Sequence, residues 1–229
     1  MRVSATEPAA RSGDQVPFRF RPGGFLLVLT GPSGAGKGTL VDRLIAVRPE
    51  CVFSVSSTTR VKRGGEREGV QYEFVSRTEF EKRRSAGHFL EWAEVHGELY
   101  GTPAKFLDEQ VRAGRVVVLD VDVQGGASVR RARPDAISVF VYPPSIDALR
   151  QRLRRRATDE GEAVERRLRD APGELAQYRE YDYLVMNDDL DHAVSRLTSI
   201  VDAERARVRR LTAAARKAAV QFQRRRSGS

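Results

Sequence analysis

The sequence predicts an α/β fold with a parallel sheet flanked by helices, and three features carry this prediction. Three apolar runs, at residues 25–30, 115–121 and 136–142, have the length and composition of strands that are buried on both faces. Segments with helical periodicity lie between these runs. Parallel strands need long crossover connections, which are usually helices. The alternation of buried strands and helices therefore favours a parallel sheet over other architectures.

Composition is ordinary for a soluble globular protein, with 40% hydrophobic and 31% charged residues. The 229 residues suffice for one domain, or one domain with insertions. The single cysteine excludes an intrachain disulfide and fits a reducing, cytoplasmic location. No apolar run approaches the length of a membrane span, and the N-terminal residues lack a signal-peptide core. A net charge of +9 favours anionic partners such as nucleotides, nucleic acid or a membrane surface, without choosing among them.

The first part of the chain joins a polar arm to the first buried strand. Residues 1–22 are polar and rich in small residues and proline, which predicts a disordered arm. A helix is expected from Thr39 to about Val47. Alternation at 52–55 indicates a short strand, and residues 56–69 are polar with paired glycines, which predicts a loop.

Residues 56–103 as a whole contain strand and turn patterns without long helices, which predicts a small β-rich insertion on the parallel core. Strands are expected at 71–75 and 89–95 because apolar and polar residues alternate there. Between them Ser76 begins a short helix, and Glu79 stands at the position that completes a capping box.

The core resumes after this insertion, so that it consists of residues 23–55 and 104–213, and a basic tail follows at 214–229. The expected elements are a helix at 103–113, strands at 115–121 and 136–142, a helix capped by Ser145, a polar break at 158–161, a helix at 164–178 with an irregularity at Pro172-Gly173, a strand at 183–186, and a long terminal helix from Asp191 to about Ala214.

The most informative stretch is 25–40, where a glycine-rich loop joins the first buried strand to the first helix. The loop has the spacing Gly31-x-x-x-x-Gly36-Lys37 of the P-loop, with the strand and helix that this motif requires on either side. Its glycines let backbone N–H groups approach an anion, and the positive end of the helix adds to the attraction. We therefore predict a phosphate cradle, with Lys37 reaching the β- and γ-phosphates. A glycine-rich turn that binds nothing is the alternative.

One position departs from the P-loop pattern and concerns the metal. The motif has Ser or Thr directly after the lysine, as a ligand of Mg²⁺, whereas here Gly38 stands there and Thr39 follows. Mg²⁺ would then be held partly through water, or by Thr39. Asp120 ends a buried strand and faces the crevice at the carboxyl edge of the sheet, where a Mg²⁺ ligand would sit. A structural or helix-capping role is the alternative for this aspartate.

Two basic clusters also have the chemistry of phosphate binding. Arg60 and Arg63 form a compact cationic loop, and arginines bind phosphate in a bidentate manner; a solvated charged loop is the alternative. Residues 150–169 contain eight arginines. Arg152 and Arg156 are one helical turn apart and can reach a single anion. Such a run is a solvated face, a nucleic-acid patch, or a lid that brings guanidinium groups onto a transferring phosphoryl group.

A series of motifs in order along the chain is similar to the guanylate kinase family. The motifs are Ser56-Ser57-Thr58-Thr59-Arg60, Arg63-Gly64-Gly65-Glu66, Tyr72-x-Phe74, Phe89-Leu90-Glu91-Trp92-Ala93, Tyr100-Gly101-Thr102, Leu119-Asp120-Val121-Asp122-x-Gln124-Gly125, Pro143-Pro144-Ser145 and Val185-Met186-Asn187-Asp188. The resemblance covers about residues 24–205. It implies a P-loop kinase core, a β-rich GMP-binding insertion and a mobile helical lid at about 152–170. It also implies phosphorylation of GMP to GDP by ATP with Mg²⁺.

The resemblance further implies roles for individual residues. ATP would be bound by Gly31, Pro32, Ser33, Gly34, Ala35, Gly36, Lys37, Gly38, Thr39 and Asn187. GMP would be bound by Ser56, Arg60, Arg63, Glu66, Tyr72, Glu91, Tyr100, Thr102 and Asp122. The catalytic residues would be Lys37, Arg152, Arg156 and Arg167, and the candidate metal ligands are Thr39 and Asp120. The Gly38-Thr39 pair also resembles the loop of adenylate kinases, which use Mg·ATP.

The expected chemistry needs charge neutralisation more than proton transfer. Guanine offers two adjacent donors, N1–H and the amino group, and the carboxylate of Glu91 accepts from both, whereas adenine presents an acceptor there. The acceptor phosphate is largely dianionic at pH 7, because its second pKa is about 6, so it needs no general base. Accordingly, no catalytic role is expected for His88, His96 or His192.

Three other functions fit parts of the sequence. A guanylate-kinase-like interaction module would bind partners without catalysis, but such a module would be expected to lose phosphate-binding residues such as Lys37. A nucleic-acid-binding protein would fit the charge, and the basic tail is a candidate for polyanion binding without an obligatory nucleic acid. The third alternative is a kinase for another nucleoside monophosphate, but Glu91 and Asp122 favour guanine as the base. The expected partners are ATP and GMP. No association with a membrane is expected, and the sequence leaves open whether the protein forms a homo-oligomer.

Overall fold

A computed structural model describes residues 22–95, 97–155, 161–212, 215–216 and 219–220. Most of the predicted arm at 1–22 and of the tail at 214–229 therefore lies outside the described residues, as do Arg156 and most of the predicted break at 158–161. The described strands are β1 (Phe25–Thr30), β2 (Cys51–Phe53), β3 (Ser56–Thr58), β4 (Tyr72–Phe74), β5 (Phe89–Val95), β6 (Glu98–Pro103), β7 (Val116–Asp120), β8 (Ile137–Tyr142) and β9 (Tyr183–Met186). The described helices are α1 (Lys37–Val47), α2 (Arg77–Ser85), α3 (Ala104–Arg112), α4 (Val123–Ala132), α5 (Ile146–Arg155), α6 (Gly161–Leu175) and α7 (Leu190–Arg205).

The central sheet has five parallel strands in the order β2-β7-β1-β8-β9. β1 lies in the middle, and all six of its residues are buried. Because successive side chains of a strand point to opposite faces, Leu27 and Leu29 pack on one side and Leu26 and Val28 on the other. Residues of α1 and α7 cover the first side, and residues of α3 and α4 cover the second. The predicted fold class, a parallel α/β sheet flanked by helices, is confirmed.

A second, four-stranded sheet is formed within residues 56–103, in the order β4-β3-β6-β5. β5 and β6 form an antiparallel hairpin with Gly97 at the turn, where φ is +87°. The prediction of a loop directly after Val55 was wrong for residues 56–58, which form β3 between β4 and β6. Three polar residues carry no strand pattern, and their extended backbone is stabilised by pairing with two neighbours. β6 was not predicted either.

Two helices differ from the sequence prediction. α4 was not predicted because Gly125 and Gly126 weaken its helical pattern; it starts where the Asp122 carboxylate accepts a hydrogen bond from the Gly125 N–H at 2.7 Å. α7 ends at Arg205, whereas the prediction continued to about Ala214. After Arg205 the chain turns, and a separate helical segment covers 208–212. This turn brings the Arg210 carbonyl against the Gly23 N–H, at 2.8 Å.

Two expected helix starts agree with the structure. Ser76 caps α2 by accepting from the Glu79 N–H at 3.2 Å. Ser145 accepts from the Ala148 N–H at 3.0 Å at the start of α5. The helix predicted at 164–178 differs, because α6 begins at Gly161, continues without a break through Pro172 and Gly173, where an irregularity was expected, and ends at Leu175. A 3₁₀ turn, Ala176–Glu180, follows. In the described part of the chain, no helix is both long and apolar enough to cross a membrane.

Candidate active site

The loop between β1 and α1 takes the shape that its glycines allow. Gly31, Gly34 and Gly36 have φ values of +149°, +88° and +92°, which residues with a side chain rarely adopt. At Gly36 a Cβ atom would also lie 2.3 Å from the Asn187 amide nitrogen. The loop therefore needs glycine here for both its backbone conformation and its close packing.

Lys37 lies over this loop in the structure. Its ammonium donates to the Gly31 carbonyl at 2.8 Å and more weakly to the Pro32 carbonyl at 3.4 Å. The same Nζ atom is 3.9 Å from Oδ1 of Asp120, at the end of β7. The lysine and the strand-end aspartate thus meet at the carboxyl edge of the parallel sheet, where ligands bind in such folds.

The departure at Gly38 has a visible geometric consequence. A Cβ atom at this position would be 3.7 Å from Oδ2 of Asp120, in ordinary contact. A serine there would therefore stand beside the carboxylate, whereas Thr39 is exposed and does not line the cleft. Among the described residues no group of three or more His, Cys, Asp or Glu side chains is arranged to hold a metal. Mg²⁺ in nucleotide sites usually has one or two carboxylates, several waters and phosphate oxygens as ligands, so Asp120 alone fits this requirement.

Two residues from other elements hold the outer side of the loop. Arg152 of α5 donates from Nη1 to the Ala35 carbonyl and from Nη2 to the Asn187 carbonyl, each at 3.0 Å. The Asn187 side-chain amide donates to the same Ala35 carbonyl at 2.7 Å. These three hydrogen bonds tie α5 and the end of β9 to the loop, so Arg152 touches the loop backbone in this structure.

A cleft of about 490 Å³ connects this loop with the second sheet. The cleft is lined by residues of this loop, of the second sheet and its connecting loops, of the C-terminal end of β7, and of helix α6. The predicted site residues among them are Ser33, Gly34, Gly36, Lys37, Gly38, Ser56, Arg60, Arg63, Glu66, Tyr72, Glu91, Tyr100, Asp120, Asp122 and Arg167. Gly31, Pro32, Ala35 and Asn187 lie in or behind the loop, Arg152 reaches it from α5, and Thr102 is buried beneath Glu91.

Glu91 is a nearly buried carboxylate at one end of this cleft, with 8% of its surface exposed. The Thr102 hydroxyl, fully buried, donates to its Oε1 atom at 2.5 Å. Burial raises the pKa of Glu91 to about 7, the negative charge of Asp122 adds to this rise, and the hydrogen bond from Thr102 opposes it. A hydrogen-bond donor pair in the cleft would satisfy this carboxylate and favour its ionised form.

Arg60 is held in place by a carboxylate and by aromatic rings. Its two Nη atoms donate to the two oxygens of Glu66, at 3.1 and 2.8 Å. Glu66 also accepts from the backbone N–H of Arg63 at 2.8 Å. The Arg60 guanidinium carbon lies 5.4 Å from the ring centroid of Tyr72, which packs edge-on against Tyr100 at 5.8 Å. Glu66 and the rings thus fix the orientation of a guanidinium that lines the cleft.

The comparison with protein families agrees with this arrangement, because a family model described as guanylate kinase matches residues 24–204. The chain belongs to the guanylate kinase family. The predicted family resemblance is therefore confirmed.

Two curated guanylate kinases illustrate how close the relatives are. The guanylate kinase of Symbiobacterium thermophilum is 52% identical over 194 residues, which cover 85% of this chain and 92% of that protein. The guanylate kinase of Myxococcus xanthus is 48% identical over 191 residues, covering 83% and 91%. Among solved structures, the crystal structure of guanylate kinase from Anaplasma phagocytophilum superposes with a TM-score of 0.70 at 34% identity, covering 83% of this chain and 90% of that one.

This guanylate kinase family member also has a cleft residue that the sequence analysis did not single out. Glu174 of α6 lines the cleft, and its pKa is raised mainly by burial, while the positive charges of Lys37 and Arg167 oppose the rise. Only the fold brings α6 over the P-loop, and a lone glutamate in a helical pattern gives no local signal of it. The double function of Asp122 was equally hidden, because its carboxylate both caps α4 and lines the cleft.

Proposed function

We propose that this protein transfers the γ-phosphoryl group of ATP to GMP, with ATP in the P-loop and GMP in the second sheet. The observation that supports this proposal is that one cleft is lined by the glycine-rich loop with Lys37, by the nearly buried carboxylate of Glu91, and by Arg60 and Arg63. Glu66 orients the guanidinium of Arg60. Such a cleft holds two anionic ligands next to each other, as a direct transfer between two nucleotides requires.

On the donor side, the backbone N–H groups of the loop and the N-terminus of α1 would hold the phosphates of ATP. Lys37 already lies over the loop and would exchange its hydrogen bond with the Gly31 carbonyl for the β- and γ-phosphate oxygens. Arg152 and Asn187 would keep the outer side of the loop in shape through their hydrogen bonds to the Ala35 carbonyl.

On the acceptor side, Glu91 would accept from the N1–H and amino groups of guanine. Thr102 fixes the carboxylate beneath the base, and Asp122 and Ser56 line the same part of the cleft. Arg60, oriented by Glu66, would bind the phosphate of GMP together with Arg63, Tyr72 and Tyr100. A base without these two donors would leave the Glu91 carboxylate with Thr102 as its hydrogen-bond donor and no donor from the ligand, and sites of this kind discriminate by about 10⁴ or more.

The transfer itself needs the two polyanions brought into line and their repulsion compensated. Arg167 and Lys37 line the cleft and supply positive charge at the transferring group. Asp120 would hold Mg²⁺ together with waters and phosphate oxygens, and the bound ion would neutralise charge that develops on the β- and γ-phosphates. Because the phosphate of GMP is itself the nucleophile, no side chain has to remove a proton. This reaction belongs in the reducing cytoplasm, which a chain with a single, buried cysteine suits.

Substitution of Lys37 tests this proposal. In Lys37→Ala the phosphates lose a positive charge that acts mainly in the transition state, so turnover of ATP and GMP should fall by about 10² to 10³. Binding of GMP alone, measured by calorimetry, should stay within about twofold, because the guanine subsite is separate. Lys105→Ala is the matched control, since that side chain is 91% exposed on α3. Unchanged turnover in Lys37→Ala would contradict the assignment of the loop.

A further inference from the structure

The carbonyl of Ala35, on the outer side of the P-loop, accepts hydrogen bonds from two side chains. Arg152 of α5 donates to it from Nη1 at 3.0 Å, and the Asn187 amide donates from Nδ2 at 2.7 Å. Nη2 of Arg152 also donates to the Asn187 carbonyl at 3.0 Å. These three hydrogen bonds close a ring, and we call the three residues the Ala35 clamp. Because Ala35 is fully buried and its carbonyl has two donors, the peptide that carries it has little freedom to rotate.

The Ala35 clamp determines where the next backbone N–H group is directed. A trans peptide unit is planar, and its C=O and N–H bonds point in opposite directions. The described residues that line the cleft include Gly36 and Lys37 but none of the three clamp residues. Since the Ala35 carbonyl is directed to the clamp and away from the cleft, the N–H group of Gly36 is directed towards the cleft.

The conformation of Gly36 is fixed from both sides. Its φ of +92° is in the left-handed region, and a Cβ atom there would lie 2.3 Å from the Asn187 amide nitrogen. The Gly36 carbonyl accepts from the Leu40 N–H at 3.2 Å, at the start of α1. The peptide before Gly36 is thus held by the Ala35 clamp and the peptide after it by the helix. The direction of the Gly36 N–H group is therefore set before any ligand binds.

Helix α5 carries Arg152 on a surface that packs against the P-loop. A Cβ atom at Gly34 would lie 3.1 Å from side-chain atoms of both Leu149 and Leu153. These two leucines are buried, and they stand on either side of Arg152 in the sequence. Arg152 is the first residue of the predicted lid, yet it contacts the loop from a helix that is closely packed on it. This part of α5 therefore belongs to the support of the loop.

We propose that Arg152 is a positioning residue, which acts through the Ala35 carbonyl to direct the Gly36 N–H group at the β-phosphate of the nucleotide. This inference rests on the proposed function, in which ATP occupies the P-loop. The family resemblance implied that Arg152 is a catalytic residue, but both of its terminal nitrogens are engaged by carbonyls in the structure. The planar guanidinium suits the positioning role, because its two parallel donors reach two fixed acceptors together.

The expected signature of a positioning role is a loss of affinity for phosphates. A donor that is already oriented binds a phosphate without a cost of reorganisation. The Gly36 N–H group would contact the β-phosphate both before and during the transfer, so loss of the Ala35 clamp should weaken binding much more than it lowers kcat.

Displacement calorimetry on the full chain tests this inference, with pyrophosphate competing against bound Mg·ADP. The competition restricts the measurement to the nucleotide site. Arg152→Lys keeps the positive charge but replaces the planar fork by a single ammonium group. The affinity for both ligands should fall at least about fivefold, while kcat at saturating ATP and GMP should change by less than about threefold.

Asn187→Ala is the second variant, because it removes a neutral donor from the same carbonyl. Since no charge is lost, a fall of pyrophosphate affinity of similar size would be transmitted by the loop backbone. The Gly36 amide signal in a proton–nitrogen NMR spectrum should shift in both variants. Asn187 is buried, so thermal unfolding checks that its variant folds, and Arg152→Lys, at a half-buried position, tests the proposal independently.

Arg154→Ala is the matched control for charge. Arg154 is an exposed arginine of the same helix, two residues beyond Arg152. Its removal takes away one positive charge without touching the Ala35 clamp. The affinity for pyrophosphate should stay within about twofold of the native value.

Three results would overturn the proposal. A fall of kcat by about 10² with unchanged affinity for Mg·ADP would make Arg152 a catalytic residue. Weaker binding of Mg·ADP with unchanged binding of pyrophosphate would place its contact at the adenine. Native pyrophosphate affinity in Arg152→Lys would mean that its charge alone acts. The binding measurements contain no acceptor, so they stay distinguishable from a failure of the proposed function, which would be seen as native protein without turnover of GMP.

Discussion

At the scale of single residues, the environment of Glu91 decides its chemistry. A carboxylate in water is ionised at neutral pH, but burial raises the pKa of Glu91 to about 7, so that it is partly protonated in the free protein. Only the ionised form accepts from both donors of guanine. Binding of the base should therefore be coupled to loss of a proton from Glu91 at neutral and lower pH.

This coupling predicts that affinity for guanosine depends on pH. Between pH 8 and pH 6, guanosine binding to the native protein should weaken about tenfold, because a pKa of about 7 must be overcome at the lower pH. Guanosine is the right ligand for calorimetry here, since it lacks the phosphate whose own pKa is about 6. In Glu91→Gln the affinity should be lower and independent of pH. A native protein whose guanosine affinity is constant over this range would contradict the role of Glu91.

The same pKa predicts a stability effect with a defined sign. The folded state binds the proton of Glu91 more tightly than the unfolded chain, so this contribution to stability is complete below about pH 4.5 and is lost as the pH rises through about 7. Relative to Glu91→Gln, the native protein should lose about 3 kcal/mol of unfolding free energy over that interval, from a rise of about 2.5 pKa units. Denaturant unfolding of both proteins across the range measures it.

At the scale of elements, the P-loop and α1 show what one glycine changes. Gly38 is the second residue of α1, and because it is glycine, position 38 places no side chain beside Asp120. A Cβ atom fits there at 3.7 Å from Oδ2 of Asp120. In the proposed reaction Mg²⁺ would therefore be held by Asp120, water and phosphate oxygens, with no ligand from position 38.

A serine at position 38 should consequently strengthen metal binding. In Gly38→Ser the added hydroxyl would stand beside Asp120. The Mg²⁺ concentration for half-maximal turnover should then fall by about three- to tenfold, because one added ligand should contribute about as much free energy as one net hydrogen bond. Gly38→Ala is the control, because it adds the same Cβ atom and the same gain in helix propensity without a ligand. A Mg²⁺ dependence that moves equally in both variants, or in neither, would contradict metal binding at this place.

The same elements show how much the sequence could predict. β1, β7 and β8 were predicted because long buried runs have a strong pattern, and the glycines and lysine of the loop define its shape. β3 was missed because three polar residues, Ser56 to Thr58, become a buried strand only between β4 and β6. The early end of α7 was missed because no glycine or proline follows Arg205 to mark a helix end in the sequence.

For the candidate site, the sequence indicated which residues to consider, and the structure shows which of them lie together. Lys37, Arg60 and Glu91 belong to local motifs, and the structure brings them to one cleft. Their partners are set by the fold, as with Thr102 beneath Glu91 and Glu174 beside the P-loop.

At the scale of the whole molecule, the two sheets contribute different sets of residues to the cleft. The parallel sheet carries the P-loop and Asp120 at its carboxyl edge, and the second sheet carries Glu91 and the arginine pair. Helix α5 contributes Arg152, which contacts the backbone of the P-loop, and helix α6 contributes Arg167, which lines the cleft. Closure of these parts over two nucleotides would exclude water and direct the phosphoryl group to GMP instead of to hydrolysis.

One measurement most directly tests the proposal that ATP binds in the P-loop and GMP binds in the second sheet. ADP formation from Mg·ATP is followed with GMP, AMP, CMP and UMP in parallel, together with a control that contains no acceptor. We predict turnover with GMP and a kcat/KM at least about 10⁴ lower with the other three, because only guanine satisfies Glu91. Equal turnover with AMP, or no turnover with any acceptor by folded protein that binds ATP, would contradict the proposed function.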